Sequence, residues 1–216
     1  MSKQFIAVIA VVIIGLFGVF SLAKNSSDNG SNQSDSPSSG QLSEHKRGAG
    51  KKGVTLIEYG DFQCPACKSF YPIVSQVEKA YGDDITFQFR HFPLNQLHPH
   101  AFEASRAAEA AGKQGKFFEM YDLLYKNQDS WAQVSSASSI FENYARQLGL
   151  NLDQFKADVA SEEVAATINA DIKAGQEAGA TGTPTFVLNG KKLDPNPQSL
   201  EEFKQAIDNV IAENSN

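Results

Sequence analysis

Cysteine is scarce in this 216-residue chain, which contains only two. Small secreted domains that are held together by disulfides carry more cysteines, spread along the chain. Here Cys64 and Cys67 lie three positions apart, so a bridge between them would close a short loop and remove little entropy from the unfolded chain. This scarcity argues against a disulfide-stapled scaffold, and the spacing favours redox chemistry over structural cross-linking.

Basic residues are also few: 19 Lys and Arg stand against 25 Asp and Glu, giving a net charge of −6 and a pI of about 5.2. Proteins that bind nucleic acid usually carry a basic stripe or patch. No such stripe occurs along this sequence, so we do not expect nucleic acid as a partner. The modest acidity indicates ordinary solubility.

Long apolar runs are missing except at the N-terminus, where residues 4–23 carry no charge. About 20 predominantly apolar residues can cross a bilayer as a helix, and Lys3 favours a cytoplasmic N-terminus. We predict that residues 1–24 form a transmembrane signal anchor, with a cleaved signal peptide as the alternative. Both interpretations predict a bacterial protein in which residues 25–216 are extracytoplasmic. If the helix is an anchor, the protein is a single-pass protein of the cell membrane.

Residues 25–53 are rich in Ser, Asn and Gly, and Leu42 is their only large aliphatic residue. A segment of this composition cannot bury enough apolar surface to fold. We therefore predict that residues 25–53 form a flexible, disordered linker.

Residues 54–216 show the alternating patterns of an α/β domain. Apolar and alternating runs predict strands at 54–59, 85–90 and 183–188, separated by a helix at 65–81 and by a large helical insertion at about 93–182. The insertion is indicated by apolar residues that recur at helical spacing. An Asn-Gly pair predicts a hairpin turn after the last long strand, and a final amphipathic helix follows.

The Cys64-Pro65-Ala66-Cys67 motif lies where the first strand gives way to the first helix, and proline suits a first helical turn. The first N–H groups of a helix have no intrahelical partner, so they and the helix dipole can stabilise a thiolate at Cys64. The thiolate is the nucleophile in disulfide exchange. We expect Cys64 to attack the substrate and Cys67, one turn later, to resolve the mixed disulfide.

Three other readings of the cysteine pair remain open on the residues alone. The pair could be half of a zinc site completed by His91, His98 and His100, but the spacings match no standard second pair. It could also be a structural disulfide, or part of a redox fold retained only for binding. The strand, motif and helix in succession favour redox activity, with no metal and no cofactor.

Three segments carry a resemblance to a known family. Glu58–Cys67 reads Glu-Tyr-Gly-Asp-Phe-Gln-Cys-Pro-Ala-Cys, Arg90–Leu94 reads Arg-His-Phe-Pro-Leu, and Ala180–Phe186 reads Ala-Thr-Gly-Thr-Pro-Thr-Phe. In this order they resemble the DsbA-like branch of the thioredoxin superfamily, and the resemblance extends over nearly everything from Val54 onward. It implies a thioredoxin fold, of the α/β class, interrupted by a helical domain.

The resemblance also implies roles for individual residues. Glu58 matches the family's buried acid, which could relay the proton of the second cysteine. The bond before Pro184 is implied to be cis and to face the cysteine pair, so that the backbone of Thr183 can pair with an extended substrate peptide. Without the resemblance, the Gly-Thr-Pro sequence favours a trans turn.

One position departs from the pattern, because the best-known oxidase of the family has histidine where this chain has Ala66. Histidine at that position lends positive charge to the thiolate. The residues between the cysteines, Pro65 and Ala66, are therefore expected to tune the redox couple toward a milder oxidant. His91 can supply the missing positive charge only if the fold brings it close to Cys64. A structural role for His91 is the favoured interpretation.

The leading functional hypothesis is an oxidase that introduces disulfides into exported, cysteine-containing proteins. By family analogy, it passes electrons to a quinone-linked membrane oxidase of the DsbB or VKOR type. The alternatives are a disulfide reductase or isomerase on the same fold, and a tethered module that binds extended peptides without redox turnover.

Overall fold

The structure, a computed structural model, describes residues 40–215. The predicted membrane anchor and residues 25–39 of the predicted linker lie outside the described residues. Among the helices within residues 40–215, none has the length and apolar character that crossing a bilayer requires.

Within that range five strands form one sheet and eight α-helices accompany it. The strands are β1 (Lys46–Arg47), β2 (Val54–Gly60), β3 (Ile85–His91), β4 (Thr185–Leu188) and β5 (Lys191–Lys192). The helices are α1 (Pro65–Tyr81), α2 (Ala101–Gly112), α3 (Phe117–Lys126), α4 (Gln128–Trp131), α5 (Ser138–Gln147), α6 (Leu152–Ala160), α7 (Glu162–Glu177) and α8 (Leu200–Asn214).

The apolar strand β2 lies at the centre of the sheet, as its composition predicts. The strand order is β1-β3-β2-β4-β5, with β2 parallel to β3 and antiparallel to β4. Glu58 is therefore paired with Phe89 on one side and with Phe186 on the other. This pairing brings the end of β2, where the cysteine motif begins, next to the start of β4, which follows Pro184.

The predicted α/β class and the helical insertion agree with this arrangement. Six helices, α2 to α7, lie between β3 and β4 in the described part of the chain. A buried aromatic cluster joins the insertion to the sheet, because Phe62 lies 5.0 Å from Phe89, 5.8 Å from Tyr121 and 5.1 Å from Tyr125, measured between ring centroids. The predicted Asn-Gly turn is also present, with positive φ values of 45° at Asn189 and 81° at Gly190.

The prediction of a disordered linker is wrong for residues 40–53, which pack against the domain. Ser43 is buried and donates from its backbone N to Asp171 Oδ1 at 3.0 Å and from its Oγ to Asp171 Oδ2 at 2.5 Å. Two residues further on, the His45 ring lies 2.7 Å from Glu109 Oε1, and β1 pairs antiparallel with β3. The composition misleads because polar contacts and strand pairing, rather than apolar burial, hold this segment.

We expect Ser43→Ala to lower the free energy of unfolding by about 1 to 3 kcal/mol, since it leaves a buried carboxylate oxygen with one donor fewer. Urea denaturation of the full chain measures the change. Ser135→Ala, at an exposed serine, is the matched control and should change stability by less than about 0.5 kcal/mol. Equal stability of the two variants would mean that residues 40–53 contribute little to the fold.

Candidate active site

Cys64 occupies the N-cap position of α1, with φ −67° and ψ 123°, and 6% of its surface is exposed. Hydrogen bonds reach its sulfur from the Cys67 thiol and from the backbone N–H groups of Cys67 and Ala66. Its Sγ also lies 3.4 Å from the carbonyl oxygen of Thr183. The hydrogen bond from the Cys67 thiol is the largest cause that lowers the pKa of Cys64 to about 5, although burial opposes the shift.

Cys67 lies beneath Cys64 and is fully buried. Burial, followed by its hydrogen bond to the Cys64 sulfur and by the charge of Glu58, raises the pKa of Cys67 well above its usual value. The two thiols therefore differ strongly in acidity. These opposite shifts favour a thiolate at Cys64 and a thiol at Cys67 at neutral pH, and the roles of attacking and resolving cysteine stay a prediction.

Glu58 is completely buried on the central strand, and neither of its carboxylate oxygens has a hydrogen-bond partner among the described residues. Burial is the main cause that raises its pKa from 4.5 to about 8, and the charges of Glu78 and Cys64 act in the same direction. The nearby Tyr121 hydroxyl opposes the shift only in part. A carboxyl that exchanges its proton near neutral pH thus lies within electrostatic reach of both cysteines.

The remaining predicted site residues surround the cysteine pair. The Thr183–Pro184 bond is cis, as the resemblance implies, and Pro184 is buried while Thr183 is half-buried beside Cys64. Pro65 and Ala66 are exposed at the start of α1. The side of Cys64 that faces solvent is therefore bordered by these two residues and by the Thr183 backbone.

His91 does not supply the positive charge that Ala66 lacks. It is fully buried, its Nε2 lies 2.7 Å from Glu109 Oε1, and its backbone N donates to Asp171 Oδ2 at 3.0 Å. It is not among the groups with the largest effect on the pKa of Cys64. The structural reading of His91 is therefore the correct one, and backbone amides and a thiol stabilise the thiolate in its place.

Asp61, which precedes the cysteines, organises the redox loop, although the sequence offers no role for it. Its Oδ1 accepts from the backbone N of Gln63 at 2.7 Å. Its Oδ2 accepts from the backbone N of Leu94 at 2.9 Å and contacts His98 Nδ1 at 2.6 Å. One buried carboxylate thus ties the loop before Cys64 to the segment that follows β3.

Two buried glutamines join the same loop to the helical insertion. Gln128 donates from Nε2 to the carbonyl oxygens of Phe62 at 2.7 Å and of Cys64 at 3.0 Å. Gln63 donates from Nε2 to the carbonyl oxygen of Ala132 at 2.7 Å. Gln63 lies inside a recognisable motif, but no sequence signal marks Gln128, because its partners are more than 60 positions away.

A family model described as Thioredoxin matches residues 41–209 of this chain. That range includes the ordered part of the segment before β2, the cysteine motif and the cis-proline. The chain belongs to the thioredoxin family. The resemblance of its motifs to DsbA-like thiol–disulfide oxidoreductases is confirmed.

Solved structures of thioredoxin-family proteins have the same fold as this chain. A thioredoxin-like oxidoreductase from Silicibacter pomeroyi superposes with a TM-score of 0.65 at 26% identity, covering 77% of this chain and 91% of its own. Oxidised BdbD from Bacillus subtilis gives 0.70 at 24% identity, covering 81% and 97%. The α-DsbA1 protein from Wolbachia pipientis gives 0.69 at 22% identity, covering 81% and 95%.

Curated relatives are more similar in sequence but much longer. The Na(+)/H(+) antiporter NhaA 3 of Salinispora tropica is 37% identical over 169 residues, which are 78% of this chain and 25% of that protein. NhaA 1 of Mycolicibacterium gilvum is 37% identical over 153 residues, which are 69% and 24%. The chain spans about a quarter of the length of these relatives, and the name of each describes the whole protein.

We expect Glu58→Gln to remove a pH dependence of stability. The folded-state pKa of Glu58 is about 8 against 4.5 for an ordinary Glu, so the contribution of this group to stability is fully present below pH 4.5 and is lost as pH rises toward and through 8. The stability of the variant relative to wild type should therefore increase by roughly 4 kcal/mol between pH 4.5 and 8.

Urea denaturation of both proteins at a series of pH values, with the cysteines oxidised in each, measures this difference. Glu201→Gln, at an exposed carboxyl of α8, is the control and should run parallel to wild type. A difference between Glu58→Gln and wild type that stays constant with pH would show that Glu58 has an ordinary pKa.

Proposed function

We propose that this thioredoxin-family protein is an extracytoplasmic thiol–disulfide oxidoreductase that introduces disulfides into exported proteins. One observation carries the proposal: the Cys64 sulfur accepts hydrogen bonds from helix-start amides while Cys67 is a buried thiol beneath it. Groups that stabilise the Cys64 thiolate stabilise the reduced form of the pair. A stabilised reduced form makes the disulfide a stronger oxidant.

In the oxidising half of the cycle, a substrate thiolate attacks Sγ of Cys64 in the Cys64–Cys67 disulfide. A substrate–Cys64 bond forms, the Cys64–Cys67 bond breaks, and Cys67 leaves and takes a proton from Glu58. A second substrate thiolate then attacks the substrate sulfur and expels Cys64 as a stabilised thiolate. The substrate is oxidised by two electrons, and the enzyme is left reduced, with Cys64 as a thiolate and Cys67 as a thiol.

The return half needs an external disulfide, for which we propose a quinone-linked membrane oxidase of the DsbB or VKOR type. The Cys64 thiolate attacks that disulfide, which forms a mixed disulfide and expels one partner sulfur as a thiolate. Cys67 then attacks Cys64 and expels the second partner sulfur, so that the partner is left as a dithiol and the Cys64–Cys67 disulfide is restored. Cys67 must lose its proton in this step, and Glu58 is the proposed acceptor because its pKa of about 8 is close to neutrality.

Substrate recognition is proposed for the surface around Cys64. The backbone of Thr183 would pair with an extended cysteine-containing peptide, opposite the exposed Pro65 and Ala66. The apolar, uncharged run at residues 4–23 supports a membrane anchor and thus an extracytoplasmic domain.

We expect Cys67→Ser to accumulate mixed disulfides through Cys64, because the buried resolving thiol is lost while the nucleophile is retained. Cys64→Ser should abolish turnover and trap nothing, since the fully buried Cys67 is out of reach of a protein substrate. Non-reducing electrophoresis of both variants, purified from cells whose thiols were blocked, makes the comparison. Complexes that form through Cys67 would reverse the assigned roles.

We expect the reduction potential of the Cys64–Cys67 pair to lie at roughly −200 to −140 mV, between about −270 mV for thioredoxin and about −120 mV for the strongest oxidase of the family. The pKa of Cys64, about 5, also lies between about 7 for thioredoxin and about 3.5 for that oxidase. Titration in glutathione buffers, followed by alkylation, gives the value.

The same titration separates the alternative functions. A potential at or below that of thioredoxin would reject the oxidase and favour a reductase or isomerase. Cysteines that do not change their alkylation between oxidising and reducing buffers would indicate a tethered peptide-binding module without redox turnover.

A further inference from the structure

Three side chains from distant parts of the chain converge on one point outside the redox site. His45 precedes β1, His91 ends β3, and Glu109 lies in α2. The Nε2 atoms of both histidines lie 2.7 Å from the same carboxylate oxygen, Oε1 of Glu109. The two imidazole nitrogens and this oxygen all lie within 4.8 Å of one another.

The surroundings of this cluster are apolar. The His45 ring stacks on Phe117, with 3.4 Å between ring centroids and 5° between the planes. Phe89 and Phe117 contact the His91 ring edge-on at 5.4 and 5.7 Å. The His91 side chain is fully buried and that of Glu109 is 9% exposed, whereas the His45 side chain is 17% exposed. The cluster is thus enclosed on most sides and reachable from solvent past His45.

From this geometry we propose that His45, His91 and Glu109 form a binding site for a divalent transition-metal ion of the zinc class. Imidazole nitrogen and carboxylate oxygen are zinc ligands, and two histidines with one glutamate form a three-ligand protein set that leaves the fourth position to water. The partly exposed side of His45 provides room for that water. The proposed site shares no residue with the cysteine pair, so it does not depend on the redox function.

Without a metal, the two rings hydrogen-bond to Oε1 and neutralise the buried carboxylate. The metal-binding interpretation rests on the grouping of the three ligand atoms, which come from three separate segments of the chain and lie within 4.8 Å of one another. A metal ion requires ligand atoms grouped around one point, and here it would replace the protons that lie between the rings and Oε1.

Metal binding places the proton of each ring on Nδ1, because Nε2 must present its lone pair to the ion. Nδ1 of His91 is buried and has no hydrogen-bond partner among the described residues. Metal-binding histidines usually donate that second N–H to a neighbouring group. We therefore expect moderate affinity for the metal rather than the very tight binding of a structural zinc site.

The test uses the full chain in mild detergent, stripped with a chelator and with Cys64 and Cys67 oxidised, so that the thiols cannot bind metal. Co²⁺ is the probe, followed by visible absorption and by equilibrium dialysis with metal analysis, and Zn²⁺ should displace it. We expect one equivalent of Co²⁺ per chain for wild type. His45→Gln and Glu109→Gln should lose at least tenfold in affinity.

Glu103→Gln is the matched control, since Glu103 lies on the same helix outside the cluster, and it should bind like wild type. His45→Gln is the primary variant because its side chain is partly exposed, and circular dichroism verifies that each variant is folded. Absence of Co²⁺ and Zn²⁺ binding by folded wild type would overturn the proposal. So would unchanged binding in both cluster variants, or binding that occurs only when the cysteines are reduced.

Discussion

The stabilised sulfur of Cys64 is the constraint on which the rest of this structure depends. A thiolate is stabilised by hydrogen-bond donors around its sulfur. Here the donors are backbone N–H groups in the first turn of α1 and the buried thiol of Cys67, instead of a positively charged side chain. The donors reach the sulfur only if Cys64 stays at the N-cap, where its backbone N is bound to the Asp61 carbonyl at 3.1 Å. The short loop between β2 and α1 therefore has to be rigid.

That rigidity comes from outside the thioredoxin elements. Gln128, which lies in α4, donates hydrogen bonds to two carbonyl groups of the loop. Phe62 packs among aromatic rings of α3. Asp61 accepts a hydrogen bond from the segment after β3. The helical insertion thus holds the loop that carries Cys64 and is an integral part of the cysteine site. A buried polar network of this kind fixes one arrangement because each member would be costly to leave unpaired.

Glu58 differs from this network, because within residues 40–215 its buried carboxyl has no hydrogen-bond partner. An ionised carboxylate in such a place is unstable, so the group remains largely protonated up to a pH near 8. The protein thereby loses stability as pH rises, and it retains a carboxyl that interacts electrostatically with two sulfurs of very different acidity. Strongly shifted pKa values are characteristic of functional sites, where stability is given up for chemistry.

The sequence by itself determined the features that local patterns encode. The apolar run of β2, the proline after Cys64, the helical stripes and the Asn189-Gly190 turn each depend on neighbouring residues, and the motifs around Cys64 and Pro184 identified the family. Only the tertiary structure decided which partners the buried polar residues bind. Ser43 and His45 stand in a sequence that resembles a linker, and they are held by Asp171 and Glu109, 128 and 64 positions away. Hydrogen bonds and ion pairs between such distant residues leave no periodicity or composition in the chain, because their energy depends on partners that only the fold brings together.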